Sequence, residues 1–166
     1  MVRNRTIIRF VRFRTIKGGH SMLKNRSKEI HRINYLTYET EGLYHQASLK
    51  MGISDSVCIV LYAIYDAGGS CLLRDIYKHS GVSKQTINSA LRSLEAKQLI
   101  QLEQYSGKLK RAVLTPHGNS FAGETVGRLF EAETHTFDDW QEDEISTYIR
   151  LMEKYTDSLR RQLQIL

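Results

Sequence analysis

The chain has 166 residues, a hydrophobic share of 41%, two cysteines and a single proline. That length supports a packed core without disulfides or metal, two cysteines in apolar surroundings fit a reducing cytoplasm, and no apolar run approaches a membrane span. The formal net charge of +6 is uneven: residues 1–21 carry six basic residues and no acid, and the remainder holds as many acids as bases.

Residues 1–21 combine Arg3, Arg5, Arg9, Arg12, Arg14 and Lys17 with Ile7, Ile8, Phe10, Val11, Phe13 and Ile16. They lack the apolar core and small-residue cleavage site of a secretory signal. A DNA-gripping basic arm and a membrane-surface or transit-like segment are two readings. A third is favoured: Lys17-Gly18-Gly19 is encodable by a purine-rich run resembling a bacterial ribosome-binding site, which makes Met22 the expected start.

From Ser27 to about Lys50, Ile30, Ile33, Leu36, Thr40, Leu43 and Ala47 return every three or four residues, which predicts a long helix. Gly52 ends it. Ser54 is placed to cap a second helix through Val57, Ile59, Val60, Leu61 and Ile64 to Ala67, apolar on most faces and therefore expected at the centre of the domain. Gly68-Gly69 stops that helix, and Ser70 to Leu72 reads as a short strand.

Leu73 to His79 is predicted helical with Ile76 inward, and Ser80-Gly81 is a turn. A second helix follows over residues 83–97, with Ser83 at its N-cap. Ile87, Leu91 and Leu94 recur at i, i+4 and i+7 as one apolar stripe. The opposite face carries Lys84, Gln85, Asn88, Ser89 and Arg92. Such side chains suit phosphates and base edges: Arg or Lys pairs with guanine, Asn or Gln with adenine. A merely solvated helix face is the plain alternative. Helix, short Gly-containing turn, helix is the helix-turn-helix arrangement. Ile100 and Leu102 then alternate with Gln101 and Glu103, Ser106-Gly107 is a turn signal, and Arg111 to Thr115 returns, giving a β-hairpin with Lys108, Lys110 and Arg111 near its tip. Residues 72–115 carry a local balance of +5 and residues 116–166 one of −5, so positive charge gathers on the helix-turn-helix and hairpin.

Thr115 caps the next helix, with Pro116 at its first position where a missing N–H costs nothing. After the acidic stretch from Asp138 to Glu144, a last helix runs to the terminus. Ile145, Met152, Leu159 and Leu166 are spaced by seven, with Tyr148 and Tyr155 at the matching positions between them. A seven-residue repeat favours a partner helix, so dimerisation is expected over packing on its own domain.

Leu73-Arg74-Asp75-Ile76, the run from Gly81 to Glu95, Leu99-Ile100 and Leu114-Thr115-Pro116-His117-Gly118 form an ordered set that resembles the MarR family of transcriptional regulators, over nearly all of the chain after Met22. The resemblance implies a mainly α fold with a small antiparallel β-wing. Residues 54–115 would be a winged helix-turn-helix, and residues 27–52 and 116–166 the dimerisation helices of one domain, 22–166. It also implies a homodimer whose recognition helices enter the major groove and whose wings lie beside or in the minor groove. One departure stands out. Many members carry an Asp-Arg pair in the wing, whereas here the turn reads Ser106-Gly107-Lys108-Leu109-Lys110. Lys108 is the nearest match, with Lys110 and Arg111 behind it. Lysine is a strongly hydrated point charge less suited to a narrow groove, so this wing is expected to touch phosphate.

The DNA-contacting residues are therefore expected to be Lys84, Gln85, Asn88 and Arg92 in the major groove, Ser83, Thr86 and Ser89 beside them, and Lys108, Lys110 and Arg111 on the flank. Tyr35, Tyr38 and Tyr62, with Tyr44, would either line a pocket for a small-molecule effector or pack at a dimer interface. Cys58 and Cys71 are expected to be inert buried thiols rather than a redox switch. Glu41 and His45, at i and i+4, are more simply a surface pair than metal ligands. No phosphate loop, nucleophile elbow or paired-carboxylate signature appears, so no cofactor and no enzymatic activity are expected. The expected function is a cytoplasmic, homodimeric repressor of a pseudo-palindromic double-stranded DNA operator. A winged helix used as a protein-interaction module is the alternative, and it would expose apolar residues on the recognition face.

Overall fold

The computed structural model describes residues 26–165. In chain order these form helix α1 (Ser27–Lys50), α2 (Asp55–Asp66), strand β1 (Ser70–Leu72), α3 (Leu73–His79), α4 (Lys84–Ala96), β2 (Ile100–Ser106) and β3 (Leu109–Leu114). Helix α5 (Pro116–Ala122) continues through a π-helical turn, Gly123–Gly127, into α6 (Arg128–His135), and α7 (Glu142–Leu163) closes the order. The architecture is mainly α with a small antiparallel wing, as the sequence predicts. The basic residues 1–21 and Leu166, the last member of the seven-residue repeat, lie outside the described residues.

Contacts divide the chain between Leu43 and Tyr44, inside α1. The cause is visible along the helix. Residues 28–41 are exposed throughout, and the Thr37 and Thr40 hydroxyls donate to carbonyls one turn back, at Ile33 and Leu36. Past the division Ser48 is buried, and the helix end joins the second unit.

That second unit is built around α2. Ser54 caps it by accepting from the Val57 N–H, and Val57, Cys58, Val60, Leu61 and Ile64 are buried. They share one core with Ile76 of α3, Ile87, Ala90, Leu91 and Leu94 of α4, Ile100 and Ala112 of the hairpin, and Ala122 and Val126. At about 1.5–3 kcal/mol for each large apolar side chain removed from water, this cluster is the main force fixing α4 by its apolar stripe. The α4 stripe is wider than the sequence pattern suggests, because Ala90 joins it.

The sheet has the order β1-β3-β2, all antiparallel. Its third strand is β1, pairing Ser70, Cys71 and Leu72 with Val113, Ala112 and Arg111. The hairpin turns at Gly107, whose φ of +54° is accessible to glycine at little cost. Gly81, in the turn between α3 and α4, has φ +68°. Gln98 also adopts a left-handed φ of +56°. It ends α4 as the N–H of Leu99 donates back to the Leu94 carbonyl, a termination for which glycine is usual.

Thr115 then joins two elements. Its hydroxyl accepts from the Gly118 N–H at 2.9 Å and donates to the Gln98 carbonyl at 2.7 Å. Gly118 is pressed onto the backbone: a Cβ there would stand 1.7 Å from the Leu99 carbonyl oxygen. Where the sequence suggests one plain helix after Pro116, the π-helical turn intervenes, with the buried Thr125 hydroxyl donating to the Phe121 carbonyl at 2.6 Å. Helix α7 starts with the Gln141 N–H donating to the Glu144 carboxylate. Acids at its first turn and Arg160 and Arg161 at its last complement its dipole.

Candidate nucleic-acid interface

Ser83 stands before α4 with its Oγ accepting from the Thr86 N–H at 3.1 Å. The Ser83 and Thr86 hydroxyls also meet at 2.8 Å, so this pair completes a cap, and Thr86 is only half-exposed. Opposite the buried stripe, Lys84, Gln85, Asn88, Ser89 and Arg92 are all exposed. The first turn of α4 holds no acid. Its unpaired N–H groups and Lys84 therefore combine into one positive end.

Two residues of that face are held by Tyr77 of α3. The Tyr77 hydroxyl donates to Asn88 Oδ1 at 2.8 Å, and Lys84 Nζ lies over the Tyr77 ring, 5.8 Å from its centroid. Sequence periodicity gives no hint of this, because the contact crosses between helices whose angle is set by the core beneath them.

On the wing, Lys108 and Lys110 are exposed. Arg111 is not at the tip with them. It stands opposite Glu103 in the ladder and donates to one carboxylate oxygen from both Nε and Nη2. Its guanidinium also covers the Tyr105 ring at 5.4 Å. The ladder shifts register between Gln104 and Ser106, which puts Tyr105 at an irregularity, and the Gln104 side chain donates to the Gly107 carbonyl across the turn.

The residues of the seven-residue repeat lie along α7. Tyr148, Met152, Tyr155 and Leu159 are 42–48% exposed, and Ile145 is half-buried. Ile149, Leu151 and Leu163 add further exposed apolar surface. Tyr35 and Tyr38 are exposed on α1, ahead of the division in that helix. Tyr62 belongs to a different grouping. Its hydroxyl and that of Tyr44 donate to the two oxygens of Glu133, at 2.5 and 2.7 Å, with Phe130 packed beside the Tyr62 ring. Nothing in the helical spacing of Glu133 points to a partner 71 or 89 positions away, so the sequence pattern does not mark it. The hydrogen bond to Glu133, then burial, pushes the Tyr44 hydroxyl up to about 12. Burial, then the same carboxylate, raises Tyr62 further.

Burial pushes the Cys58 thiol up, opposed by its hydrogen bond with Ser48, and burial likewise raises Cys71, aided by Asp75 and Asp66. A raised thiol holds less thiolate and is less reactive. His45 meets Asp55, with Nδ1 2.9 Å from the nearer carboxylate oxygen. No group of three ligating residues that could hold a metal occurs among the described residues.

The model of the MarR family matches residues 51–107, from the start of the turn before α2 to the wing. No curated protein matches the sequence. Among solved structures, NMB1585 from Neisseria meningitidis, a MarR-family regulator, superposes with a TM-score of 0.71 at 15% identity, covering 84% of this chain and 96% of its own. MepR from S. aureus, solved in complex with DNA, gives a TM-score of 0.59 at 21% identity, covering 78% and 96%. BpsR from Bordetella bronchiseptica, whose DNA binding is regulated by 6-hydroxynicotinic acid, gives 0.56 at 19%, covering 75% and 98%. These likenesses are of fold, and they extend the match beyond residues 51–107.

Proposed function

We infer that this chain, which matches the MarR family model over residues 51–107, is a transcriptional regulator of that family that binds double-stranded DNA through α4 and the wing. The observation that carries the reading is the division of α4. One face is buried, with Ile87 fully enclosed, and the other exposes Lys84, Gln85, Asn88, Ser89 and Arg92 with no large apolar side chain among them. A protein-docking winged helix would expose apolar residues there. In this reading Lys84, Gln85, Asn88 and Arg92 face base edges, Ser83, Thr86 and Ser89 lie beside the backbone, and Lys108 and Lys110 neutralise phosphates on the flank. Arg111 is a weaker contributor than the sequence alone suggests, because Glu103 already balances its charge.

We extend the proposal to a homodimer acting in the cytoplasm as a repressor on a pseudo-palindromic operator. The exposed apolar stripe on α7 supports self-association, since none of its residues is fully buried within the chain. The BpsR likeness supports relief by a small ligand.

Selection of bound DNA from a random pool tests the core of the proposal. Enriched half-sites related by two-fold symmetry and about one helical turn apart are expected. A pool that emerges unenriched would overturn it.

A further inference from the structure

Tyr77 and Asn88 sit on the two successive helices of the helix-turn-helix, joined by the 2.8 Å hydrogen bond from the Tyr77 hydroxyl to Asn88 Oδ1. We propose that Tyr77 sets which base Asn88 reads, converting an amide that ordinarily suits adenine into a donor that selects guanine. This rests on the reading of α4 as the helix that meets DNA.

An asparagine amide has one acceptor oxygen and two N–H donors. Its usual pairing with adenine spends both ends at once: the oxygen accepts from N6 while an N–H donates to N7. Here the oxygen is turned toward α3 and accepts from Tyr77. The amide plane is then fixed, and the amino group at its other end is what remains to be offered outward. Guanine presents two acceptors in the major groove, N7 and O6, with no donor beside them. A free amino group, with two N–H donors, matches that pattern.

The anchor itself is well held. Tyr77 is half-buried, packed against the core cluster beneath the helix-turn-helix, and its ring face lies beside Lys84 Nζ. Its hydroxyl is therefore fixed by contacts on two sides, while Asn88 is exposed and would otherwise rotate freely about its side-chain torsions. Tyr77 is a positioning residue: its effect on sequence preference passes through Asn88 and Lys84.

The test compares DNA selected from a random pool by the full chain and by two variants. Asn88→Ala identifies the base position that Asn88 reads, as the one whose preference disappears. At that position the unaltered chain should favour guanine about tenfold over adenine, in keeping with the discrimination of one good base contact. Tyr77→Phe keeps the ring and its contact with Lys84 but removes the hydroxyl. Guanine preference should fall to threefold or less, with adenine gaining, while other positions keep theirs. Adenine or cytosine favoured by the unaltered chain would overturn the proposal, and that arm stands whether or not the variants fold. An unchanged preference in Tyr77→Phe, or no position responding to Asn88→Ala, would overturn it too. Failure of the unaltered chain to enrich any DNA is a separate outcome, which removes the DNA-binding reading itself.

Discussion

Arg111 and Glu103 face each other across the wing, with both Nε and Nη2 of the guanidinium on a single carboxylate oxygen at 3.0 and 2.8 Å. The same guanidinium lies over the Tyr105 ring, 5.4 Å from its centroid. The one arginine near the wing tip is thus committed to its own hairpin, and the free positive charge at the turn is that of Lys108 and Lys110.

Freeing that arginine should strengthen DNA binding. Glu103→Gln removes one acid and releases Arg111, so affinity should rise and the slope of log affinity against log salt should steepen by about one ion. Arg111→Ala should weaken binding less than Lys108→Ala does. Both partners are more than a third exposed, so losing the pair should cost stability less than about 1 kcal/mol. Equal losses from Arg111→Ala and Lys108→Ala in a fluorescence titration would contradict the assignment.

Arg92 and Lys108 should behave differently from each other. Arg92→Ala should cost about 1–3 kcal/mol on the preferred sequence and relax preference at one position. Lys108→Ala should weaken all sequences alike and flatten the salt dependence. Competition titrations against preferred and random DNA at two salt concentrations separate the two effects.

Glu133 ties Tyr44 of α1 and Tyr62 of α2 to α6. Both hydroxyls hold their protons more tightly folded than their ordinary value near 10, with Tyr44 at about 12. The stabilisation from this clamp is therefore complete below pH 10 and is lost as pH rises through 12. Glu133→Gln should bring both tyrosines back toward 10 in an ultraviolet titration and cost about 1 kcal/mol at pH 7. A titration curve that ignores the substitution would sink the clamp.

Gly118→Ala should destabilise far more than a surface change. The added methyl would meet the Leu99 carbonyl oxygen at 1.7 Å, and the backbone on both sides must move. A loss of about 3 kcal/mol or more is expected, read by thermal melting; a variant melting within a few degrees of the parent would show that the junction yields easily.

If the α7 stripe holds the proposed homodimer together, charges placed in it should leave a monomer. Met152→Lys with Leu159→Glu puts two charges where apolar surface lies exposed, so sedimentation should report a monomer with an unchanged helical signal. A complex that survives both substitutions would move the interface elsewhere.

The sequence by itself determined most of the elements and the two faces of α4, because those follow from local periodicity, caps and turn residues. Ser54, Ser83 and Thr115 cap the helices they precede, Gly107 turns the wing, and Ile87, Leu91 and Leu94 go inward. The +5 of residues 72–115 is likewise a property of the sequence, distinct from the charge of residues 1–21. The partners of the polar groups were decided by tertiary structure alone. Arg111 meets Glu103 only through strand register, Tyr77 meets Asn88 only through the crossing of two helices, and Glu133 meets two tyrosines only once three helices have packed. Local pattern specifies which face of an element is buried. It carries no information on which distant hydroxyl or carboxylate ends up within 3 Å, because that depends on how whole elements settle against a shared core.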